Sequence, residues 1–400
     1  MPDVVDMLDL GAGHRLSITS EGTTLSALPM VRDGGRWRRA VPRDGASEAL
    51  LDVLAQQSGS WSSGNFTMQS WAARKAAGEQ AMGVDQTNES VIVGDTAVVK
   101  WATHLQDGPH PAPSRIAVLR DAEFTGMPAP WGLITWHPPD GDATLAVYVD
   151  EYLPGAVDGW TWAVDLMTAS ASSGDAAPVA TAAAEVGALI ADLHAALTPT
   201  RSTSSMDDAR RWHRHALHVL ESACAVTDSR SGQILRAHRD VVAAELECLS
   251  DMSDVPVIDG HGDLHVGQVL RSGGHFVVTD FDGNPVLPSS QRALPIPAVV
   301  DVAGMAQSLA HVAVVAARYT ALETDALAAV DTTARTSFLD AYTRGLSAAG
   351  HTGLYDPRPL RALRIQQVMR EMIYAAEYLP RWMYVPDAAL PALLEEGTAR

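Results

Sequence analysis

Residues 255–285, VPVIDGHGDLHVGQVLRSGGHFVVTDFDGNP, constrain this chain more than any other stretch. Two short β-rich segments, 255–258 and 276–279, flank a polar loop carrying His261, Asp263, His265 and Gln268, and the second runs directly onto Asp280. Asp and Gly are ordinary turn residues, so each acid taken alone reads as a turn that hydrogen-bonds itself. Together they read differently. An acid in a loop, an amide five residues later and a second acid at a strand end can hold a hydroxyl nucleophile beside Mg²⁺ and a nucleoside triphosphate. Phosphoryl transfer asks a protein for positioning, a proton acceptor and metal ligands, with little covalent chemistry. Asp263 is the candidate base. Gln268 offers a neutral carbonyl oxygen suited to a hard cation, and Asp280 is the second candidate metal ligand. His261 is expected to brace the loop backbone.

The run HGDLHVGQ, followed by an apolar strand and DFDG, resembles the catalytic and metal-binding loops of the aminoglycoside-phosphotransferase-like kinases. The GQVL continuation is similar to their maltokinase branch. The resemblance implies an α+β, bilobal kinase-like fold with a β-rich N-terminal cap and small lobe and a mostly helical C-terminal lobe. It also implies ATP, held in the interlobe cleft, and Mg²⁺.

Composition narrows the partners. Lys+Arg 29 against Asp+Glu 48 leaves a formal charge of −19, a poor footing for nucleic acid, whose binding leans on cationic contacts. An acidic field attracts a cationic substrate or serves solubility alone. Cys224 and Cys248 are the two cysteines, too few for a disulfide framework. The opening MPDVVDMLDLGAG lacks the basic start and apolar core of a signal peptide. The most apolar stretch, 299–317, is interrupted by Asp301, Gln307 and His311 and reads as a buried helix rather than a membrane span. The expectation is a cytoplasmic monomer acting on small molecules, without nucleic acid or membrane.

Along the chain, residues 1–85 alternate strand-like pieces with turns and carry no catalytic cluster, which suits a cap. Residues 86–155 read as the β-rich nucleotide-binding lobe, with a hairpin formed by 90–93, a Gly94-Asp95 turn and 97–101. Lys100, near the end of AVVKW, is either an edge-strand gatekeeper or the amine that reaches ATP phosphates; the downstream loop favours the second. VDEYLPG at 149–155 has the form of a hinge, and the backbone of Glu151, Tyr152 and Leu153 is the candidate adenine contact. Residues 156–400 read as helical, with segments at 160–167, 179–197, 207–226, 232–249, 298–318, 332–349 and 359–378.

Two features depart from the kinase pattern. No GxGxxG loop occurs, and residues 83–90, GVDQTNES, stand in its place with one glycine. The acid that pairs with Lys100 is also unclear, because the following helix begins Pro113-Ser114-Arg115 where maltokinase-like chains tend to have an acid, and Glu123 sits late. A nucleotide-binding pseudokinase is the rival reading, opposed by the intact trio Asp263, Gln268 and Asp280.

The acceptor is read from residues 364–390. On a 3.6-residue period Gln367, Glu371, Tyr374 and Tyr378 share a face, with Arg370, Arg381 and Trp382 near its edge. Burying that mixture is costly unless it meets a polar ligand, and sugars suit it. Glu371 either faces a ligand ammonium or pairs with Arg370 or Arg381 to fasten the C-terminus. Asp301 either caps its helix or serves as a second acid for the sugar's amine or hydroxyls. The pattern QxxREMxYAxxYLPRWxYVPD resembles the acceptor signature of actinobacterial glucosamine kinases, and GVDQTNESVxVGxxAVVKW extends the likeness to the small lobe. That resemblance implies ATP-dependent phosphorylation of D-glucosamine to glucosamine 6-phosphate. The alternatives are maltose 1-phosphorylation and aminoglycoside phosphorylation.

Overall fold

Alternating apolar residues in the first part of the chain build two antiparallel sheets. In the computed structural model, which describes residues 3–82, 88–106, 108–226 and 228–396, β1 (Asp3–Gly11), β2 (His14–Glu21), β3 (Thr24–Asp33) and β4 (Arg36–Arg39) form a meander. A seven-stranded sheet follows, ordered β5-β6-β10-β11-β9-β8-β7. Its strands are β5 (Gly59–Ser63), β6 (Phe66–Ser70), β7 (Glu79–Ala81), β8 (Glu89–Val93), β9 (Ala97–Trp101), β10 (Pro130–Trp136) and β11 (Thr144–Glu151). Leu16 and Ile18 of the meander share one core with Leu50 and Leu54 of helix α1 (Ala46–Leu54) and with Phe66, Val99, Trp101 and Val149 of the larger sheet. The segments expected as a cap and a small lobe therefore bury their apolar faces together. Helix α1 begins at Gly45 with no side-chain cap of its own. Glu79 supplies one, accepting the amides of Gly45 at 2.9 Å and Ser47 at 2.6 Å.

By contacts the chain divides into two units, Met1–Ala156 with Thr279–Leu294, and Val157–Val278 with Pro295–Arg400. The segment after the catalytic loop thus belongs with the sheets, as do α2 (Ala112–Asp121) and α8 (Ser289–Arg292). Gly83 to Thr87, most of the expected phosphate loop, lie outside the described residues.

The second unit is helical: α3 (Gly159–Ser173), α4 (Ala177–Ala196), α5 (Met206–Cys224), α6 (Arg230–Ala237), α7 (Arg239–Leu246), α9 (Val299–Tyr319), α10 (Thr324–Ala348), α11 (Leu360–Glu377) and α12 (Tyr384–Glu395). Helices α4 and α10 approach so closely that a Cβ on Gly187 would meet the Phe338 carbonyl oxygen at 2.3 Å. Helix α9 is buried on nearly all sides, polar residues included. Both α4 and α9 are long and apolar enough to cross a membrane by composition, yet 50 % and 67 % of their most apolar windows are buried in the unit.

Two expectations change. The single helix expected over 232–249 breaks at His238, whose backbone leaves the helical region at φ −111°, ψ 15°. The polar loop at 255–285 also holds an extra strand, β14 (Val269–Ser272), paired with β15 (His275–Val278) through a Gly273-Gly274 turn in which both residues have positive φ. The upstream strand β13 (Pro256–Val257) pairs instead with β12 (Ser202–Thr203).

Candidate active site

A buried carboxylate holds the catalytic loop from behind. Asp301, in the first turn of α9, accepts the His261 amide through Oδ2 and the Gly262 amide through Oδ1, each at 2.7 Å. His194 Nε2 lies 3.2 Å from Oδ2, and His194 Nδ1 meets the Tyr342 hydroxyl at 2.8 Å. Burial pushes the Asp301 carboxyl up, but the His194 contact, His261 and the Gly262 amide outweigh it and hold the group below the ordinary carboxylate range. This corrects the reading of Asp301 as an acceptor-site acid. Its side chain has no exposed surface and both oxygens are engaged. Nor is it the cap, since the N-cap position of α9 is Ala298.

The loop built on that anchor presents Asp263. Its amide donates to Nδ1 of the fully buried His261 at 3.3 Å. Its carboxylate, 21 % exposed, lies 3.8 Å from an Arg370 Nη atom. His265 caps the next turn by accepting the Gly267 amide through Nδ1 at 3.1 Å, and the Gln268 amide closes that turn on the His265 carbonyl at 2.9 Å. Because Nδ1 accepts, a neutral His265 carries its proton on Nε2. From α9, Ser308 Oγ accepts the Val266 amide at 2.9 Å.

On α11 the stripe splits into two parts. Gln367 Nε2 donates to Glu371 Oε1 at 3.0 Å, while His311 Nδ1 of α9 lies 3.1 Å from Glu371 Oε2. That single contact takes up at most one lone pair of the buried Oε2, which keeps another to offer. The contacts of Glu371 are neither Arg370 nor Arg381, the two structural partners expected. One turn on, Tyr374 is half exposed and packs against Tyr378, ring centres 5.4 Å apart. Trp382 lies edge-on to Trp160 at 5.3 Å. The structure therefore groups Glu371 with Gln367 and leaves Tyr374 toward solvent.

The first unit carries Lys100, Asp280 and the 149–155 segment. Lys100 Nζ on β9 meets Asp150 Oδ2 of the neighbouring strand β11 at 3.1 Å. Burial alone would lower the Lys100 ammonium, but Asp150, Asp280 and Asp282 together raise it. The Lys100 partner thus comes from the sheet rather than from α2. The same helix start, Pro113-Ser114-Arg115, carries Arg115, 2 % exposed, donating to the Phe281 carbonyl at 2.9 Å and the Arg292 carbonyl at 3.0 Å. It ties α2 to the segment carrying Asp280. Asp280 adopts a left-handed backbone, φ +67°, which Asp tolerates better than most residues. Burial, then the neighbouring Asp280, push the Asp282 carboxyl up to about 7.

At the hinge, the Glu151 amide donates to Ala129 O and the Tyr152 amide to Thr96 O, both at 2.9 Å. Of the three candidate adenine contacts, those two amides are already used inside the protein; among the described residues the Leu153 amide has no such backbone partner.

Three features escaped the sequence reading. Asp150 was visible as an acid inside the apolar strand run AVYVDE. Gln307 and His311 were visible as polar breaks in an apolar helix. Arg115 left no signal, because nothing local says that its guanidinium will be buried against carbonyls 166 and 177 residues away.

A strand lysine with a buried carboxylate partner, a pinned loop acid and a DFD segment define a kinase. Comparison with known proteins narrows the class. Over 397 residues, 99 % of each chain, the sequence is 60 % identical to glucosamine kinase of Mycolicibacterium smegmatis (strain ATCC 700084 / mc(2)155). It is 42 % identical to glucosamine kinase of Streptacidiphilus jiangxiensis, with 98 % of this chain and 91 % of that one aligned. A solved glucosamine kinase in complex with glucosamine, ADP and inorganic phosphate superposes with a TM-score of 0.86 at 39 % identity, covering 98 % of this chain and 93 % of that one. No family model matches. The chain belongs to the glucosamine kinases.

The Asp301 anchor predicts an acid limb of stability. A carboxyl whose folded-state pKa is depressed contributes stability that is present above its unfolded value, near 3.8 here, and lost as pH falls through the lower folded value. Thermal melts of the wild type should therefore drop steeply as pH falls below about 4, and Asp301→Asn should flatten that slope. An unchanged acid limb in the variant would show that other carboxylates carry it.

Proposed function

We propose that this chain transfers the γ-phosphoryl group of ATP to the 6-hydroxyl of D-glucosamine. The observation that carries the reading is Glu371, a largely buried carboxylate held by Gln367 whose Oε2 still has acceptor capacity. A ligand ammonium satisfies such a group with a charge-assisted hydrogen bond, roughly twice as strong as a neutral one. The hydroxyls of glucose or maltose give it less. The first relatives described above are named for the same sugar, which supports the assignment.

Asp263 accepts the proton of the acceptor hydroxyl as its oxygen bonds to the γ-phosphorus and the bond to ADP breaks. Arg370 lies 3.8 Å from the Asp263 carboxylate. Lys100, held by Asp150, steadies the phosphates, and the Leu153 amide is the hinge donor left for adenine. Gln367 fixes the Glu371 carboxylate, and Trp382, braced by Trp160, is the aromatic surface for the sugar's C–H face.

Asp280 and Gln268 are the oxygen donors we assign to Mg²⁺. Burial, and then the neighbouring Asp280, push the Asp282 carboxyl up to about 7, and a divalent cation beside the pair would offset that crowding of acids. Among the described residues no cluster of three or more His, Cys, Asp or Glu forms a metal cage. A sparse oxygen set fits Mg²⁺, which keeps several waters and shares phosphates. Bound there, the cation would neutralise charge on the triphosphate. We place the enzyme in the cytoplasm as a monomer, its acidic surface suited to a cationic sugar.

Glu371→Gln should raise the KM for glucosamine by about 1–3 kcal/mol of lost binding and that for glucose far less. Equal losses on the two sugars would make Glu371 structural. Asp280→Asn should shift the Mg²⁺ titration of activity to higher concentration; a superimposable titration would remove Asp280 from the ligand set.

A further inference from the structure

Behind Glu371, helices α9 and α11 bury a row of polar side chains for which phosphoryl transfer itself has no use. Gln307 and His311 stand one turn apart on α9, each 1 % exposed, and Arg364 on α11 is 7 % exposed. Arg364 Nε donates to Gln307 Oε1 at 3.1 Å, and its two Nη groups donate to Glu396 at 2.8 and 3.3 Å. Gln307 Nε2 lies 2.9 Å from His311 Nε2, and His311 Nδ1 lies 3.1 Å from Glu371 Oε2. Such a row is costly to bury unless every member is matched.

The order of these groups admits one proton arrangement. A guanidinium has donors only, so Arg364 turns the Gln307 carbonyl oxygen toward itself and the amide nitrogen toward His311. That nitrogen is again a donor, so His311 Nε2 must present its lone pair. The ring hydrogen therefore sits on Nδ1, facing Glu371, and the ring is neutral. A doubly protonated ring would set N–H against N–H.

We propose that Arg364 and Gln307 lock His311 in its neutral Nδ1–H form, making His311 a positioning residue that orients Glu371 without cancelling its charge and so sets specificity for the sugar's amine. The proposal rests on reading Glu371 as the amine's partner. An imidazolium at this place would pair with Glu371 as a full ion and compete with the substrate's ammonium. A neutral donor aims the carboxylate and leaves its charge for the ligand.

The test is steady-state glucosamine kinetics at saturating ATP for the wild type, Glu371→Gln, His311→Asn, His311→Gln and Gln307→Glu, with thermal melts of each. Asparagine places an amide N–H near the Nδ1 position, whereas glutamine places its amide near Nε2. Glu at 307 keeps the shape but draws a second proton onto His311. His311→Asn should stay within about threefold of the wild-type KM, while His311→Gln and Gln307→Glu raise it roughly tenfold with kcat little changed. Gln307→Glu is isosteric, so it reads the proton arrangement even if a His311 variant folds poorly. Equal KM shifts for the two His311 variants overturn the proposal, as does a loss confined to kcat or a wild-type KM in Gln307→Glu. If Glu371→Gln raises KM while the His311 and Gln307 variants do not, this inference alone falls. If Glu371→Gln leaves KM unchanged, the reading of Glu371 falls with it.

Discussion

The site is organised by polar groups buried in an apolar helix. Helix α9 has the composition of a core element, yet it carries Asp301, Gln307, Ser308 and His311, all nearly inaccessible. Each is matched by a group in another element, and three of those matches form or back the active site. Asp301 gathers the amides of His261 and Gly262, Ser308 accepts the Val266 amide, and His311 faces Glu371. Unpaired, any of these groups would cost more than a well-packed apolar residue gains, so the pairing fixes where the catalytic loop and α11 stand relative to α9. One helix thereby sets the position of both the loop that carries Asp263 and the Glu371 carboxylate.

Lys100 and Asp280 rest on a different device. In the first unit the strand lysine takes its partner from the adjacent strand, where Asp150 lies diagonally across from Lys100. Helix α2 is thus left without a part in holding Lys100, and it carries Arg115. Its two carbonyl contacts make α2 a clamp on the DFD segment rather than a brace on Lys100.

Local patterns made part of this legible. Alternation and turn residues located the β8–β9 hairpin, and the 3.6-residue period placed Gln367 and Glu371 together on α11. The HGDLHVGQ and DFDG runs exposed the loop chemistry because those residues are close in sequence. What stayed hidden depends on distant partners. The breaks at Gln307 and His311 argued only against a membrane span, since their partners lie on α11. Asp301 looked like a ligand-binding acid for the same reason: a carboxylate facing solvent and one facing two backbone amides have the same sequence. The β14 strand was overlooked inside a stretch dominated by its polar residues, although its Gly-Gly turn was in plain view.

The central claim is that an ionised, tautomer-backed carboxylate on α11 selects an aminosugar for phosphorylation. A coupled ADP-release assay across glucosamine, maltose, glucose and kanamycin at equal concentration tests it most directly. The account predicts that glucosamine is turned over far faster than the other three. Turnover of maltose or kanamycin equal to or above that of glucosamine would contradict it.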